Sequence, residues 1–180
     1  MTPLPDGVLL RPATLDDAPA AARMHLECWR EAYSPYVDAE LLEARLSNPD
    51  PWEETWRGHV EHGPPRTLAL FGDEPIGFAT AGPNRDADAP ERELYALYLR
   101  ESWWGSGVGQ ALLDDVLDDR ACTLWVLEDN SRAIAFYERN GFVATGEREF
   151  FTWLDAWEIR MDRPESSPLA KKNDRTILGA

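Results

Sequence analysis

Hydrophobic residues along the chain follow two different periods, and the change between them separates helices from strands. Apolar residues recur every three to four positions over 20–33, which predicts a helix. Farther along the period drops to two, and the runs 67–71 and 76–81 predict a hairpin around a turn at 72–75. After a short strand at 8–10, the first third of the chain is therefore predicted to be mostly helical.

The strand predicted at 93–99 is apolar on both of its faces. A strand of this kind is covered on both sides, so we expect it at the centre of the sheet. Strict alternation would place two sets of its side chains on opposite faces. One set is Leu94, Ala96 and Tyr98, and the other is Tyr95, Leu97 and Leu99.

The second half of the chain continues this alternation of helices and strands. A glycine loop at 105–109 leads into an amphipathic helix and a strand at 123–127, and a further helix ends near residue 140. Two closing strands follow, at 142–149 and 152–161. The order of strand, helices, three strands, helix, strand, helix and two strands predicts an α+β (mixed α/β) fold rather than a doubly wound sheet.

Composition and charge exclude several classes of protein. The 180 residues include 33 acidic and 18 basic ones, a net charge of −15, so a polyanion such as DNA or RNA would be repelled. The apolar runs are shorter than the roughly 18 residues that cross a bilayer. Cys28 and Cys122 lack metal-ligand spacing to the histidines. We expect one domain, 1–163, with a polar C-terminal tail, 164–180, in a cytoplasmic protein that binds no nucleic acid, membrane or metal.

The strongest candidate for a binding site lies between the central strand and the next helix. Glycines there let the backbone approach an anion closely, and the helix start offers unpaired N–H groups, so phosphate is the natural ligand. A tight turn without a ligand has the same glycines. A Walker loop is excluded because Gln110 stands where Lys is required, and the alternate glycines fit a dinucleotide loop poorly. The loop is Trp104-Gly105-Ser106-Gly107-Val108-Gly109-Gln110.

Three segments in order resemble the GNAT family of N-acetyltransferases. The family's loop has Gln or Arg, two residues, Gly, one residue and then Gly or Ala; Gly107 and Gly109 match, and Trp104 replaces the Gln or Arg. Residues 93–99 resemble the family's splayed strand, and 130–142 its following helix signature. The resemblance implies an acyl-coenzyme-A N-acyltransferase fold, a splayed, mostly antiparallel sheet flanked by helices, and transfer of an acetyl group from acetyl-coenzyme A to an amine.

The resemblance also implies a set of coenzyme-binding residues. Loop amides would bind the pyrophosphate, and the central strand would pair with the pantetheine arm and stabilise the oxyanion of the thioester. Tyr137 would protonate the departing thiolate; without the resemblance it would be read as a core tyrosine. The coenzyme-binding residues are predicted to be Leu97, Tyr98, Leu99, Trp104, Gly105, Ser106, Gly107, Val108, Gly109, Gln110, Asn130 and Ala133.

The attacking amine must lose a proton, so a base is required. Glu93 is predicted for this role because it begins the central strand beside the expected thioester; a solvated acid at a strand end is the competing interpretation. The resemblance also implies that Glu31 and Tyr33, near the end of the first helix, border the acceptor pocket. The acceptor would be a small cationic amine or a peptide amine, transfer would be direct, and a homodimer is compatible with the resemblance. A catalytically weak acyl-coenzyme-A-binding regulatory module and, behind it, a dinucleotide-dependent protein are the alternatives.

Overall fold

Seven strands and five α-helices make up the computed structural model, which describes residues 3–86, 89–117 and 120–165. From residue 166 onward, the predicted tail lies outside the described residues. The strands are β1 (Val8–Pro12), β2 (Arg66–Phe71), β3 (Glu74–Pro83), β4 (Arg92–Leu99), β5 (Cys122–Leu127), β6 (Val143–Phe151) and β7 (Ala156–Arg163). The helices are α1 (Ala18–Tyr33), α2 (Ala39–Leu46), α3 (Asp50–His62), α4 (Val108–Val116) and α5 (Ser131–Arg139).

The strands form one sheet in the order β1-β2-β3-β4-β5-β7-β6. All neighbours pair antiparallel except β4 and β5, which pair parallel. The α+β class is confirmed, and β4 occupies the predicted central position. The parallel pair is joined by a crossover through α4, as a parallel connection requires.

Helices cover both faces of the sheet because its inner strands are apolar on both sides. On β2, Leu68 and Leu70 pack against α1 and α3, whereas Ala69 faces α4. Helix α5 packs beside α4 against β4, β5 and β7, and Tyr137 belongs to this part of the core. Within the described residues every helix is too short or too polar to serve as a membrane span.

The alternation predicted for β4 breaks at Tyr95. The pairing with β3 shifts there, because Leu94 lies opposite Ala81 and Ala96 lies opposite Thr80. Tyr95 is therefore the extra residue of a β-bulge. As a result Leu94 packs on the α5 side of the sheet while Ala96 packs on the α1 side, so the prediction that these two share a face is wrong.

Candidate functional site

A cleft opens in the sheet where β4 and β5 separate. The parallel pairing joins Arg92 to Cys122 and Glu93 to Thr123, and beyond these residues the two strands diverge. In the described strands, the edge of β4 that faces β5 therefore has no strand partner after Glu93, and its backbone groups are available to a ligand. The cavity there has a volume of about 510 Å³, a size typical of small-molecule sites.

The glycine loop forms one wall of this cavity. Gly105 and Gly107 have φ angles of 75° and 91°, in the left-handed region that favours glycine. Gly107 is the N-cap of α4 and has no side chain to accept hydrogen bonds from the first-turn N–H groups. With the positive end of the helix dipole, these N–H groups suit an anion. The loop residues that line the cavity are Trp104, Gly105, Gly107, Gly109 and Gln110.

Two loop residues of the predicted set lie outside the cavity lining. The Ser106 hydroxyl donates to the Trp103 carbonyl at 2.6 Å, and the Val108 side chain is fully buried in the core beneath the loop. Gly109, predicted to belong to the loop, lies in α4, which begins at Val108. The side chains of Ser106 and Val108 therefore support the turn. Their amides also have partners within the loop, because Ser106 N–H donates to the Trp103 carbonyl at 3.3 Å and Val108 N–H to the Ser106 hydroxyl at 3.4 Å.

Strand β4 and helix α5 supply the other predicted coenzyme-binding residues, and all of them line the cavity: Leu97, Tyr98, Leu99, Asn130 and Ala133. Asn130 caps α5 by accepting a hydrogen bond from the Ala133 amide at 3.1 Å. Tyr137, one turn farther along, also lines the cavity. Burial raises the pKa of Tyr137 to about 12, so its hydroxyl is protonated at neutral pH and can donate.

The residues predicted for the acceptor side are separated by the fold. Tyr33 lines the cavity, and its hydroxyl lies 2.7 Å from that of Tyr98. Burial raises the pKa of both tyrosines, so both remain neutral. Glu31 lies outside the cavity lining, where it pairs with Arg100 at 2.9 Å and accepts from the Glu101 amide. Glu31 thus fixes the end of α1 to the end of β4.

The carboxylate of Glu93, the predicted base, is already engaged in an ion pair. Its side chain is 4% exposed and forms a bidentate ion pair with Arg85, with Nε to Oε2 at 2.9 Å. The cavity lining includes its neighbour Leu94 but not Glu93 itself. The expectation of a free carboxylate beside the thioester site is therefore not met, because the guanidinium of Arg85 already holds both carboxylate oxygens.

Glu158 is the acidic side chain that the fold brings into the cavity, and sequence reasoning missed it. It lies on β7, directly opposite Leu127 of β5 and Glu149 of β6. Burial raises the pKa of Glu158 to about 7, and the charge of Glu149 adds to this effect while Arg85 opposes it. The sequence feature that could have identified Glu158 is its position between Trp157 and Ile159 in a closing strand.

Two arginines of α5 also escaped prediction. Among the described residues that line the cavity, the cations are Arg132 and Arg139, and the single acid is Glu158. The wall that carries the glycine loop and α5 is therefore positive, although the chain has a net charge of −15. Within the described part of the chain, no group of three or more His, Cys, Asp or Glu side chains is arranged to hold a metal ion.

Comparisons with known proteins agree with this architecture. The model of the acetyltransferase (GNAT) family matches residues 19–142. A probable N-acetyltransferase of Mycobacterium tuberculosis is 33% identical over 155 residues, which cover 83% of this chain and 86% of that protein. Two solved structures share the fold: the PaiA N-acetyltransferase of Thermoplasma acidophilum in complex with coenzyme A, and the ribosomal-protein-alanine N-acetyltransferase of Brucella melitensis. The first has a TM-score of 0.64 at 19% identity, and the comparison covers 87% of this chain and 98% of that one. The second has a TM-score of 0.59 at 22% identity, and the comparison covers 87% of this chain and 99% of that one.

Proposed function

The chain belongs to the GNAT family of acetyltransferases, and on that premise we propose that it transfers the acetyl group of acetyl-coenzyme A directly to a primary amine. The observation that carries the proposal is the cleft between β4 and β5, which is lined by both an acid donor, Tyr137, and a carboxylate, Glu158. We also propose that residues 1–163 form one catalytic domain, since the last strand of the sheet ends at Arg163.

The cleft has the features needed for an acyl-coenzyme A. Its loop wall presents the start of α4, where Gly107 provides no side-chain cap, to an anionic diphosphate. The unpaired edge of β4 can form strand-like hydrogen bonds with an extended pantetheine arm. The same edge offers N–H donors to the thioester carbonyl, whose oxygen gains negative charge during attack. The coenzyme supplies the activated acetyl thioester; binding, orientation and proton transfer are the tasks of this chain's residues.

Glu158 is the base in this proposal, in place of Glu93. A pKa of about 7 leaves about half of the Glu158 carboxylate ionised at pH 7, and a general base is most effective when its pKa lies near the operating pH. Glu158 accepts the proton that the ammonium group or the attacking amine loses, directly or through water. The ion pair with Arg85 leaves Glu93 without a free oxygen for this step.

Tyr137 completes the transfer on the other side of the reacting carbon. As the amine nitrogen bonds to the carbonyl carbon, the bond from that carbon to sulfur breaks, and Tyr137 donates its proton to the sulfur. The products are the amide and the free thiol, with Glu158 protonated and Tyr137 ionised until proton exchange with solvent restores both. The hydroxyl carries its proton at neutral pH, because burial raises the pKa of Tyr137 and favours its protonated form.

The acceptor is proposed to be a small cationic amine or a peptide amine. Glu158 gives the acceptor end of the cavity a negative charge, and Tyr33 and Tyr98 offer it paired hydroxyls. The net charge of −15 would attract a cation toward the cleft. The relative from Brucella melitensis, whose name gives a protein alanine as its acceptor, supports a peptide amine as one member of this class.

The proposal is tested first by calorimetric titration with acetyl-coenzyme A, with NADH and ATP as controls at the same salt concentration. We expect micromolar binding of acetyl-coenzyme A alone. Thiol release is then followed with a panel of primary amines and short peptides with free N-termini. Binding without thiol release from any amine would favour a regulatory acyl-coenzyme-A-binding module, and absence of binding would refute the proposal.

A further inference from the structure

Trp104 stands where the resembling family has Gln or Arg, and the structure places a cation directly against it. The Arg132 Cζ atom lies 3.5 Å from the centroid of the Trp104 ring. The indole is itself fixed, because its Nε1 donates to the Leu99 carbonyl at 2.8 Å. The guanidinium of Arg132, which comes from α5, is thereby held over the start of the glycine loop.

The N–H groups of Arg132 remain available to a ligand. Stacking engages the flat face of a guanidinium and leaves the donors on its edges free. Among the residues that the structure describes, no carboxylate or carbonyl pairs with Arg132, and its side chain lines the cavity. An anion that enters the cavity would find these donors unoccupied.

The position of Arg132 is otherwise unfavourable for a positive charge. It lies in the first turn of α5, where the helix dipole disfavours cations. Desolvation lowers the pKa of Arg132, and the neighbouring Tyr137 and Glu101 oppose this effect only in part. A protein with a net charge of −15 has many carboxylates, yet among the described residues none forms an ion pair or hydrogen bond with this arginine. A bound anion is the partner that would balance the charge.

We propose that Arg132 binds the diphosphate of acetyl-coenzyme A and that Trp104 is the positioning residue that holds its guanidinium beside the loop amides. This inference rests on the proposed function. The fork of a guanidinium matches two phosphate oxygens, while the amides of the loop hold the opposite side. The polar side chain, Gln or Arg, that the family's loop carries at its first fixed position is thus replaced by a guanidinium from α5.

Arg139 is the other cation of the cavity, and it is too far along α5 to share this role. Seven residues of helix separate it from Arg132, a distance of about 10 Å at 1.5 Å per residue. It lies beside Asn140, which accepts from Gln110 Nε2 at 2.6 Å at the far end of the loop. Arg139 therefore faces a different part of the ligand.

The test compares three acetyl donors that differ in their phosphates. Acetyl-coenzyme A has the diphosphate and the ribose 3′-phosphate, its 3′-dephospho form has only the diphosphate, and S-acetylpantetheine has neither. Calorimetric titrations use the full chain and the variants Arg132→Ala and Arg132→Lys. Arg45→Ala is the matched control, because Arg45 also stacks on a tryptophan, Trp153, but lies outside the cavity lining. Circular dichroism confirms that each variant is folded.

We expect Arg132→Ala to weaken acetyl-coenzyme A and its dephospho form by about 10- to 100-fold, as for lost charge-assisted hydrogen bonds. S-acetylpantetheine should bind the variant within about twofold of the wild type. Arg132→Lys should recover only part of the affinity, since an ammonium has no fork. The Arg45→Ala variant should match the wild type with all three donors.

Trp104 is tested through its coupling to Arg132. Trp104→Ala should weaken acetyl-coenzyme A about fivefold or more, and Trp104→Phe should restore most of that loss because a phenyl ring still stacks. In the Arg132→Ala background, Trp104→Ala should have little further effect, which a purely structural role would not produce.

Four results for Arg132→Ala would overturn the inference. The first is wild-type affinity for acetyl-coenzyme A, and the second is an equal loss of affinity for S-acetylpantetheine. The third is wild-type affinity for the dephospho donor, which would assign Arg132 to the 3′-phosphate. An effect confined to the affinity for an anionic acceptor would also contradict it. Failure of the wild type to bind acetyl-coenzyme A would instead refute the proposed function together with this inference.

Discussion

Replacing Glu158 by Gln removes the one carboxylate that lines the cavity among the described residues. The pKa of Glu158 is raised to about 7, and a base acts only when deprotonated. The rate should therefore rise with pH through about 7 and fall below it. At pH 6 about one-tenth of the carboxylate is ionised, and at pH 5 about one-hundredth, so kcat/KM should fall about tenfold per pH unit. Glu158→Gln should lower kcat about 10²- to 10⁴-fold, the usual loss for a general base.

The assay follows the loss of thioester absorbance from pH 5 to 9 at saturating acetyl-coenzyme A, with the amine found in the panel. The acidic limb of the pH–rate profile, which is the fall in rate below about pH 7, should disappear in Glu158→Gln. The remaining pH dependence should report ionisation of the amine alone. Glu149→Gln is the matched control. Glu149 raises the pKa of Glu158, so removing its charge should move the limb to lower pH without abolishing it.

One combination of pH–rate profiles would refute the assignment of Glu158 as the base. Persistence of the limb in Glu158→Gln together with its loss in Glu93→Gln would identify Glu93 as the base. The carboxylate of Glu93 would then have to leave the Arg85 ion pair when substrate binds.

Substitutions at two further positions test the α5 side of the cleft. Tyr137→Phe should lower the single-turnover rate about 100-fold while the Kd for acetyl-coenzyme A changes by less than about twofold, because the lost hydroxyl donates only as the thiolate leaves; an unchanged rate would remove the acid role. Asn130→Ala should reduce the free energy of unfolding in urea by about 0.5–2 kcal/mol, since the side chain caps α5, and Asn130→Asp should retain that stability. Equal stability of the wild type and the Ala variant would contradict the capping role.

Local patterns in the sequence were sufficient to predict the order of the elements and most of the residues of the glycine loop, β4 and α5 that line the cleft. The period of the apolar residues predicted the order of strands and helices, because burial on one or both faces is a property of each segment. Gly105 and Gly107 occur where the backbone enters the left-handed region, which a side chain disfavours. Asn130 caps the short helix that contains Tyr137, so their separation follows from helix geometry.

The acceptor side depended on contacts between distant segments. Tyr33 and Tyr98 are 65 residues apart in the sequence, and their hydroxyls meet only because α1 packs on β4. Glu158 faces the cavity because β7 pairs with β5 in a particular register, and a shift of one residue would turn it to the other face. The bulge at Tyr95 changed which face Leu94 occupies, and no local period predicts it.

The sequence by itself determined the type and order of the elements, the glycine loop and the helix that carries Tyr137, since each depends on residues close together in the chain. The tertiary structure alone decided which charges meet: Arg85 with Glu93, Arg132 with Trp104, and Glu158 with the cleft. The physical reason is that strand register and helix packing are set by the summed burial of the whole core, whereas the pKa and availability of a charged side chain depend on the few groups beside it.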